Sequence, residues 1–380
     1  MSNQLLMFLI DIIALYFWIV NVLLNIKSNR LTLLIECNSI FNAIIFSIKE
    51  LTMKQYSIKD IAKLCNVSTA TVSRVINNNG RFSEETKNKV LEVINQTGYM
   101  IDDSARSLRT NVTYTIGILV PDIKNPFFAD LVQKIEELLF SKNYSTIICN
   151  TDKNEKKEQA YLHMLENKKV DGIIVISGSY QHGFKFQSSL KEIPYICIDR
   201  EPENFHNTVF ISSNHYQGGL DATNYLFNRG SQFPAIVVKK INSSTKSRIA
   251  GFKEALKNHQ VKFLKSHQEL KLTNKNAVKK FLAKNPQVDG FFAADDNIAI
   301  SLIQYLKELN YQIPKQIQII GFDDIPAANV LTPKLTTIQQ NTKKIAQTAV
   351  NSMMNAINKQ YEKGSQFLIP TKLINRETTR

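Results

Sequence analysis

The sequence predicts an α/β protein in two parts: a small all-α head of helix-turn-helix type, and behind it a larger core of doubly wound α/β lobes. Three observations carry this. Residues 57–77, SIKDIAKLCNVSTATVSRVIN, read as two short helices around a tight turn. From residue 113, continuous Ile- and Val-rich runs alternate with amphipathic segments, which is βαβ repetition with strands covered on both faces. A chain of 380 residues also exceeds one core of ordinary size, so two or three domains are expected.

The first element is an apolar extension, residues 1–52. Residues 5–26, LLMFLIDIIALYFWIVNVLLNI, are long and apolar enough to span a bilayer. Asp11 inside the run is unfavourable in lipid, and no Lys or Arg precedes it, so the charged start of a secretory signal is missing. Lys27 and Arg30 follow it, which would keep what comes after on the cytoplasmic side. The richness in Leu, Ile, Phe and Asn equally fits a translated AT-rich upstream stretch, with Met53 as the native start. This second reading is preferred, and a membrane is a partner only if residues 5–26 are real and retained.

In the head, Ser57 and Asp60 form a capping box for a first helix whose Ile58, Ile61, Ala62 and Leu64 make one apolar face. Asn66-Val67 breaks the run. Ser68 caps a second helix with Val72, Val75 and Ile76 inward and Thr69, Ala70, Ser73 and Arg74 outward. Short hydroxyls and one arginine on an outer face suit a DNA major groove: hydroxyls and the helix N-terminus meet phosphates, and arginine pairs with guanine O6 and N7. Helical hairpins with a polar face are common, so the flanks matter. Ser83-Glu84-Glu85 opens a third helix that runs to a glycine at Gly98 and carries a stripe of Val90, Val93 and Ile94. The candidate contacts of the head with double-stranded DNA are Ser57, Ser68, Thr69, Ala70, Thr71, Ser73, Arg74 and Asn77.

In the core, strands are predicted at 114–120, 145–150, 171–176, 194–199, 208–212, 234–239, 289–294, 317–322 and 335–339. Helices are predicted between them, among others at 127–142, 154–168, 216–229 and 298–309. Ligands of such sheets bind at the carboxyl ends of strands. Phe127 and Phe128 follow the first strand; aromatic faces stack on the apolar C–H faces of sugars, although one of the two is expected to cap the core instead. Asp199-Arg200 follows the fourth strand, and the planar fork of Arg200 suits paired hydroxyls, or alternatively a salt bridge between lobes. Asn214 follows the fifth strand.

The order of these motifs resembles the lactose-repressor (LacI/GalR) family of bacterial transcription regulators. The residues that carry the resemblance are IKDIAKLCNVSTATVSRVIN, SEET, ARSL, PDIKNPFF at 121–128, DGIIV at 171–175, RIAGF at 248–252, GFDD at 321–324 and TPKLTTI at 332–338. It covers residues 53–380, and INNNGRFSEET, LFSKNYSTIICNT and EKKEQAYLHML look most like sucrose-type repressors of low-GC Gram-positive bacteria. The resemblance implies a DNA-binding head at 53–103, a hinge helix or linker at 104–112, and a two-lobed ligand-binding and dimerisation domain at 113–380 built like periplasmic sugar-binding proteins. One lobe would take about 113–212 with 341–368, the other about 213–340 with the tail. Met53 stands where the family usually begins.

It further implies ligand roles for Arg248, Asp323 and Asp295, the last standing where many relatives have Asn, and for Asn214, which here follows Ser213 rather than Asp. Leu108 would wedge into the minor groove from a hinge helix that folds only on DNA. Ile101-Asp102 replace the usual Pro-Asn before it, which weakens the stiff entry. The partners implied are operator DNA, a second copy of the chain in a homodimer, and a sugar or sugar phosphate whose closure of the lobes changes operator affinity.

Charge adds little. The net +14 suits nucleic acid, but residues 53–112 hold nine basic against six acidic residues, so most of the excess lies in the core. Cys37, Cys65, Cys149 and Cys197 have no metal or disulfide spacing and read as reduced thiols of a cytoplasmic protein, with Cys65 filling space between helices. The six histidines, at 163, 182, 206, 215, 259 and 267, have no partner spacing and read as surface or satisfied residues. There is no nucleophile elbow, P-loop or metal cluster, so no enzyme, cofactor, metal or catalytic residue is expected. The alternative is an exported sugar-binding protein of a transport system, which leaves residues 57–109 unexplained. Control by a phosphorylated partner protein is a further variant of the regulator reading.

Overall fold

A computed structural model describes residues 56–76, 79–99, 112–176, 183–186, 192–360 and 363–380. The extension 1–52, the hinge residues 104–111 with Leu108, and Asn77 therefore lie outside the described residues. The chain separates into two units, divided between Asp103 and Ser104.

The head consists of α1 (Ile58–Cys65), α2 (Thr69–Ile76) and α3 (Glu84–Thr97). Ser57 Oγ accepts from the Asp60 amide and the Asp60 carboxylate accepts from the Ser57 amide at 2.9 Å, the capping box expected from the sequence. Asn66, in the left-handed region at φ 54°, ends α1 and turns the chain. Ser68 Oγ accepts from the Thr71 amide at 3.1 Å to start α2. Ser83 accepts from Thr86 to start α3, and Gly98 at φ 64° closes it. Ile61, Ala62, Cys65, Val72, Val75 and Val90 make the core, with Ile76, Val93 and Ile94 packed at its edge. Burial pushes the Cys65 thiol up, which suits a space-filling rather than a reactive role.

The second unit holds two sheets that are parallel except for the last strand of the second, which pairs antiparallel. The first contains β1 (Thr115–Val120), β2 (Ser145–Asn150), β3 (Gly172–Ile176), β4 (Tyr195–Ile198), β5 (Val209–Ser213) and, much later, β11 (Gln366–Ile369), in the order β11-β5-β4-β3-β1-β2. The second contains β6 (Pro234–Val238), β7 (Glu269–Lys271), β8 (Gly290–Ala293), β9 (Gln318–Asp323), β10 (Thr336–Gln339) and β12 (Lys372–Ile374), in the order β12-β10-β9-β8-β6-β7. Both are doubly wound, and each reverses direction at its first strand, so both crevices face the carboxyl edges. All nine strands read from the sequence are present. Those missed, β7, β11 and β12, are only three or four residues long, too short for a pattern of their own.

In the first lobe, α4 (Pro126–Phe140) and α12 (Thr342–Ile357) cover one sheet face through Leu131, Ile135, Ile345, Ala349 and Met353. Leu162 and Leu165 of α5 (Glu155–Asn167) cover the other. In the second lobe α6 (His215–Asn228), α7 (Ser243–Asn258), α8 (Lys265–Gln268), α9 (Lys275–Lys284), α10 (Asp296–Glu308) and α11 (Ala327–Val330) follow in order, and one continuous core joins α6, α7, α9 and α10 to the sheet. The chain crosses between the lobes after β5, between β10 and α12, and between β11 and β12. The Asn214 amide donates to the Ile369 carbonyl at 2.8 Å, tying the first crossing to the third.

Helices α6 and α7 meet backbone to backbone. A Cβ on Gly251 would lie 2.0 Å from the Tyr216 carbonyl oxygen, and one on Gly219 would lie 2.4 Å from that of Arg248. Gly251→Ala must therefore push the helices apart, and we expect it to lower the unfolding free energy by about 1–3 kcal/mol in urea titration.

Candidate functional site

In the head, α2 presents the residues read from the sequence. Ser68, Thr69, Ala70 and Arg74 are exposed, and Thr71 and Ser73 are half-buried. Three of the candidate hydroxyls already have structural duties: Ser68 Oγ and Thr71 Oγ1 share a hydrogen bond at 2.9 Å, and Ser57 Oγ donates to Asp60 at 2.6 Å. Arg74 is the long cation of the exposed face. Its stem runs beside Gly80, where a Cβ would stand 3.3 Å from Arg74 Cδ and the backbone holds φ +97°.

In the larger unit a row of buried polar groups crosses from one lobe to the other. Ser212 Oγ donates to Asp199 Oδ1 at 2.7 Å, and the Ser213 amide adds a second bond at 3.2 Å. His215 Nε2 meets the same oxygen at 2.9 Å. Arg248 Nε donates to His215 Nδ1 at 3.3 Å, so the imidazole proton sits on Nε2 and is given to Asp199. Arg248 also donates to the Ala294 carbonyl, faces Asp323 Oδ1 at 3.5 Å, and lies 3.6 Å over the Phe322 ring. Gln340 Nε2 closes the row on Asp323 at 2.6 Å. Every member from Asp199 to Gln340 is nearly inaccessible.

Position in the fold explains the row. Asp199 and Asp323 end β4 and β9, His215 is the first residue of α6, Arg248 is brought in by the close α6–α7 crossing, and Gln340 stands at the second lobe crossing. Asp199 at φ 50° and Asp323 at φ 117° are in the left-handed region that side chains avoid, a strain tolerated where the surrounding structure over-determines the backbone. Burial pushes Asp199 up, but His215, Ser212 and Arg248 outweigh it and hold the carboxyl below its ordinary value. Burial, helped by Arg248, holds His215 below its ordinary value, so it is neutral. Burial lifts Asp323 well above the usual carboxylate range despite Arg248.

A cavity of about 300 Å³ opens at the Asp323 end, lined by Phe127, Asp130, Asp324, Gln340 and Arg376 among others. Another, of about 220 Å³, opens at the Asp199 end beside Ser213, Asn214, His215 and Ser244. The first is at the lower limit of small-molecule sites and the second falls below it.

The structure brings Phe127, Arg248, Asp323 and Asn214 to this cleft. Phe128 meets Phe127 edge to face at 5.3 Å and packs on the first-lobe core, so it is the capping member of the pair. Arg200 is buried and faces Glu158 of α5 at 3.8 Å, within the first lobe. Asn214 and Asp295 are N-caps, accepting from the Gln217 and Ile298 amides. Sequence reasoning passed over Asp199, Ser213, His215 and Gln340. Reading every residue just past a strand would have found Gln340; His215 gave no signal, because its partners lie 16 and 33 positions away.

Next to the row, Asp296 is fully buried, accepting from Thr337 Oγ1 at 2.6 Å and from the Ile325 amide at 2.9 Å. Burial pushes it to about 7. Its folded value lies above the unfolded one, so its contribution is fully present below pH ~4 and is lost as pH rises towards ~7. We expect Asp296→Asn, which supplies a donor to Thr337 without a charge, to be more stable than the parent by roughly 1–2 kcal/mol at pH 8 and no different at pH 4. Urea titrations at the two pH values measure it.

Comparison with known proteins places both parts. Residues 57–101 match the family described as bacterial regulatory proteins, lacI family, and residues 113–377 match periplasmic binding proteins and sugar binding domain of LacI family. The chain is similar to the ribose operon repressor of Halalkalibacterium halodurans, 34% identical over 85% of this chain and 97% of that protein. It is similar to the sucrose operon repressor of Streptococcus mutans, 35% identical over 84% of this chain and 98% of that protein. Among solved structures, a LacI family transcriptional regulator from Enterococcus faecium with bound ribose superposes at a TM-score of 0.60 with 29% identity, covering 70% of this chain and 98% of that one.

Proposed function

We infer, from the premise that this chain belongs to the lacI family of bacterial regulatory proteins, that it is a sequence-specific DNA-binding repressor of a carbohydrate-utilisation operon. It acts in the cytoplasm as a homodimer on a near-palindromic operator, because one helix-turn-helix head has too small a footprint to select a site. Thr69, Ala70, Ser73 and Arg74 read the major groove from α2, Ser68 and Thr71 approach phosphates at its N-terminus, and Asn77 and Leu108 extend the contact. A sugar held against Phe127, Arg248 and Asp323 changes the spacing of the lobes and with it operator affinity.

The observation that carries this reading is the buried row from Asp199 to Gln340, a ligand-sized polar site at the lobe crossings, in a chain that also matches the lacI head. A ligand shifts such an equilibrium only by its difference in affinity for the two lobe states, and a row spanning both lobes has different geometry in each. The exported sugar-binding alternative does not stand, since relatives sharing 97–98% of their own length with this chain are operon repressors. Relatives named for ribose and sucrose operons narrow the effector to a small saccharide. The test is selection of duplexes from a random pool by the purified chain, then titration of sugars into the selected complex. A preferred duplex whose affinity changes with a sugar is the expected result; no preferred duplex, or none that responds, sinks the proposal.

A further inference from the structure

Among the described residues that line the two cavities or form the row between them, each cation has a carboxyl neighbour. Lys134 is met by Asp130 at 2.5 Å, Arg376 by Asp324 at 2.6 Å, and Arg248 by Asp323 at 3.5 Å. At the other end, the Asp199 cavity adds Glu201 and a neutral His215. Along the row itself, Arg248 stands with two carboxyl groups, Asp199 and Asp323, and His215 is neutral, so no positive charge is in excess. A phosphate ester, carrying about −1.5 to −2 at pH 7, would enter beside carboxylates with no opposing charge to meet it.

The helix N-termini that usually take oxyanions each have a side-chain acceptor already in place. Asn125 caps α4 by accepting from the Phe127 amide at 3.1 Å, and Pro126 has no N–H to offer. Asn214 caps α6 at 3.0 Å, and Asp295 caps α10 at 2.8 Å with a carboxylate.

Of the two open hydrogen-bonding atoms here, the Ser213 hydroxyl can serve either class of ligand and the Gln340 carbonyl only a donor. Gln340 gives its amide nitrogen to Asp323, which leaves Oε1 buried and unpartnered; Ser213 Oγ is buried and unpartnered beside Asp199. A carbonyl oxygen needs a donor. A sugar hydroxyl donates and accepts, whereas an ionised phosphate oxygen only accepts.

We propose that the ligand of this cleft is a free, uncharged sugar and that its phosphate esters are rejected. This rests on the reading of the cleft as a sugar sensor and decides between the two effector classes that the sequence left open.

Calorimetry of the full chain against matched pairs tests it: D-ribose with D-ribose 5-phosphate, D-glucose with D-glucose 6-phosphate, and sucrose with sucrose 6-phosphate. One free sugar binds, and its ester binds at least about a hundredfold more weakly, as expected for uncompensated like charges. Asp295→Asn keeps a capping side chain and removes a charge; the gap between sugar and ester narrows about tenfold in it. An ester that binds as well as its parent overturns the inference while leaving the sugar reading standing, and an unchanged gap in Asp295→Asn overturns its electrostatic basis. Binding by no member of any pair overturns both.

Discussion

Replacing Arg248 by lysine abolishes the response to effector while leaving operator binding intact. The guanidinium is engaged on four sides, by His215 Nδ1, the Ala294 carbonyl, the Asp323 carboxyl and the Phe322 face. An ammonium carries the charge but has no planar fork to satisfy three acceptors and no flat face to lay on the ring. Loosening a buried pair of this kind costs about 3–5 kcal/mol when a partner is removed outright, so a lysine that keeps part of the contact is expected to weaken sugar binding by about a hundredfold. The head is a separate unit with its own core, so its duplex affinity is unchanged. Calorimetry with the sugar that the parent chain binds, and operator titration with and without it, read the two halves. Retention of full sugar affinity in Arg248→Lys means that the row is scaffolding and the ligand sits elsewhere.

Replacing Arg74 by alanine produces the opposite phenotype: effector binding is retained and operator selectivity is lost. Arg74 is exposed on α2 with its stem beside Gly80. A bidentate arginine–guanine contact is worth about 1–3 kcal/mol of discrimination against the wrong base. The ratio of affinities for the preferred duplex and one substituted at the contacted base should fall about ten- to a hundredfold. Binding to random duplex changes far less, because it rests on phosphate contacts made by other residues. An unchanged ratio assigns base reading to Thr69, Ala70 and Ser73 instead.

Much of this was visible in the order of residues. The caps at Ser57 and Ser68 are local events, since each side chain bonds an amide three positions on, and they appear in the structure as read; Ser83, read as opening the third helix, caps it in the same way. The apolar runs of β1, β3, β8 and β9 are long enough to declare buried parallel strands. Phe127 was singled out by its place after a strand, and Arg248 and Asp323 by the family resemblance; the structure places all three about the lobe crossings. The short strands β7, β11 and β12 were not legible, because they are held by pairing with strands remote in sequence rather than by their own pattern.

By itself, then, the sequence determined most of the helices and strands, how the first two helices of the head are capped, and that the core is doubly wound α/β, because each of these follows from spacings of a few residues; its division into two lobes was implied by the family resemblance. Only the tertiary structure decided that His215 is a neutral link between Asp199 and Arg248, that Asp296 is a buried carboxyl pushed to about 7, and that Lys134, Arg248 and Arg376 each face a carboxyl group. The physical reason is that charge and protonation depend on what lies within a few ångströms, and the close crossing of α6 and α7 at Gly219 and Gly251 brings together groups that lie dozens of positions apart in the chain.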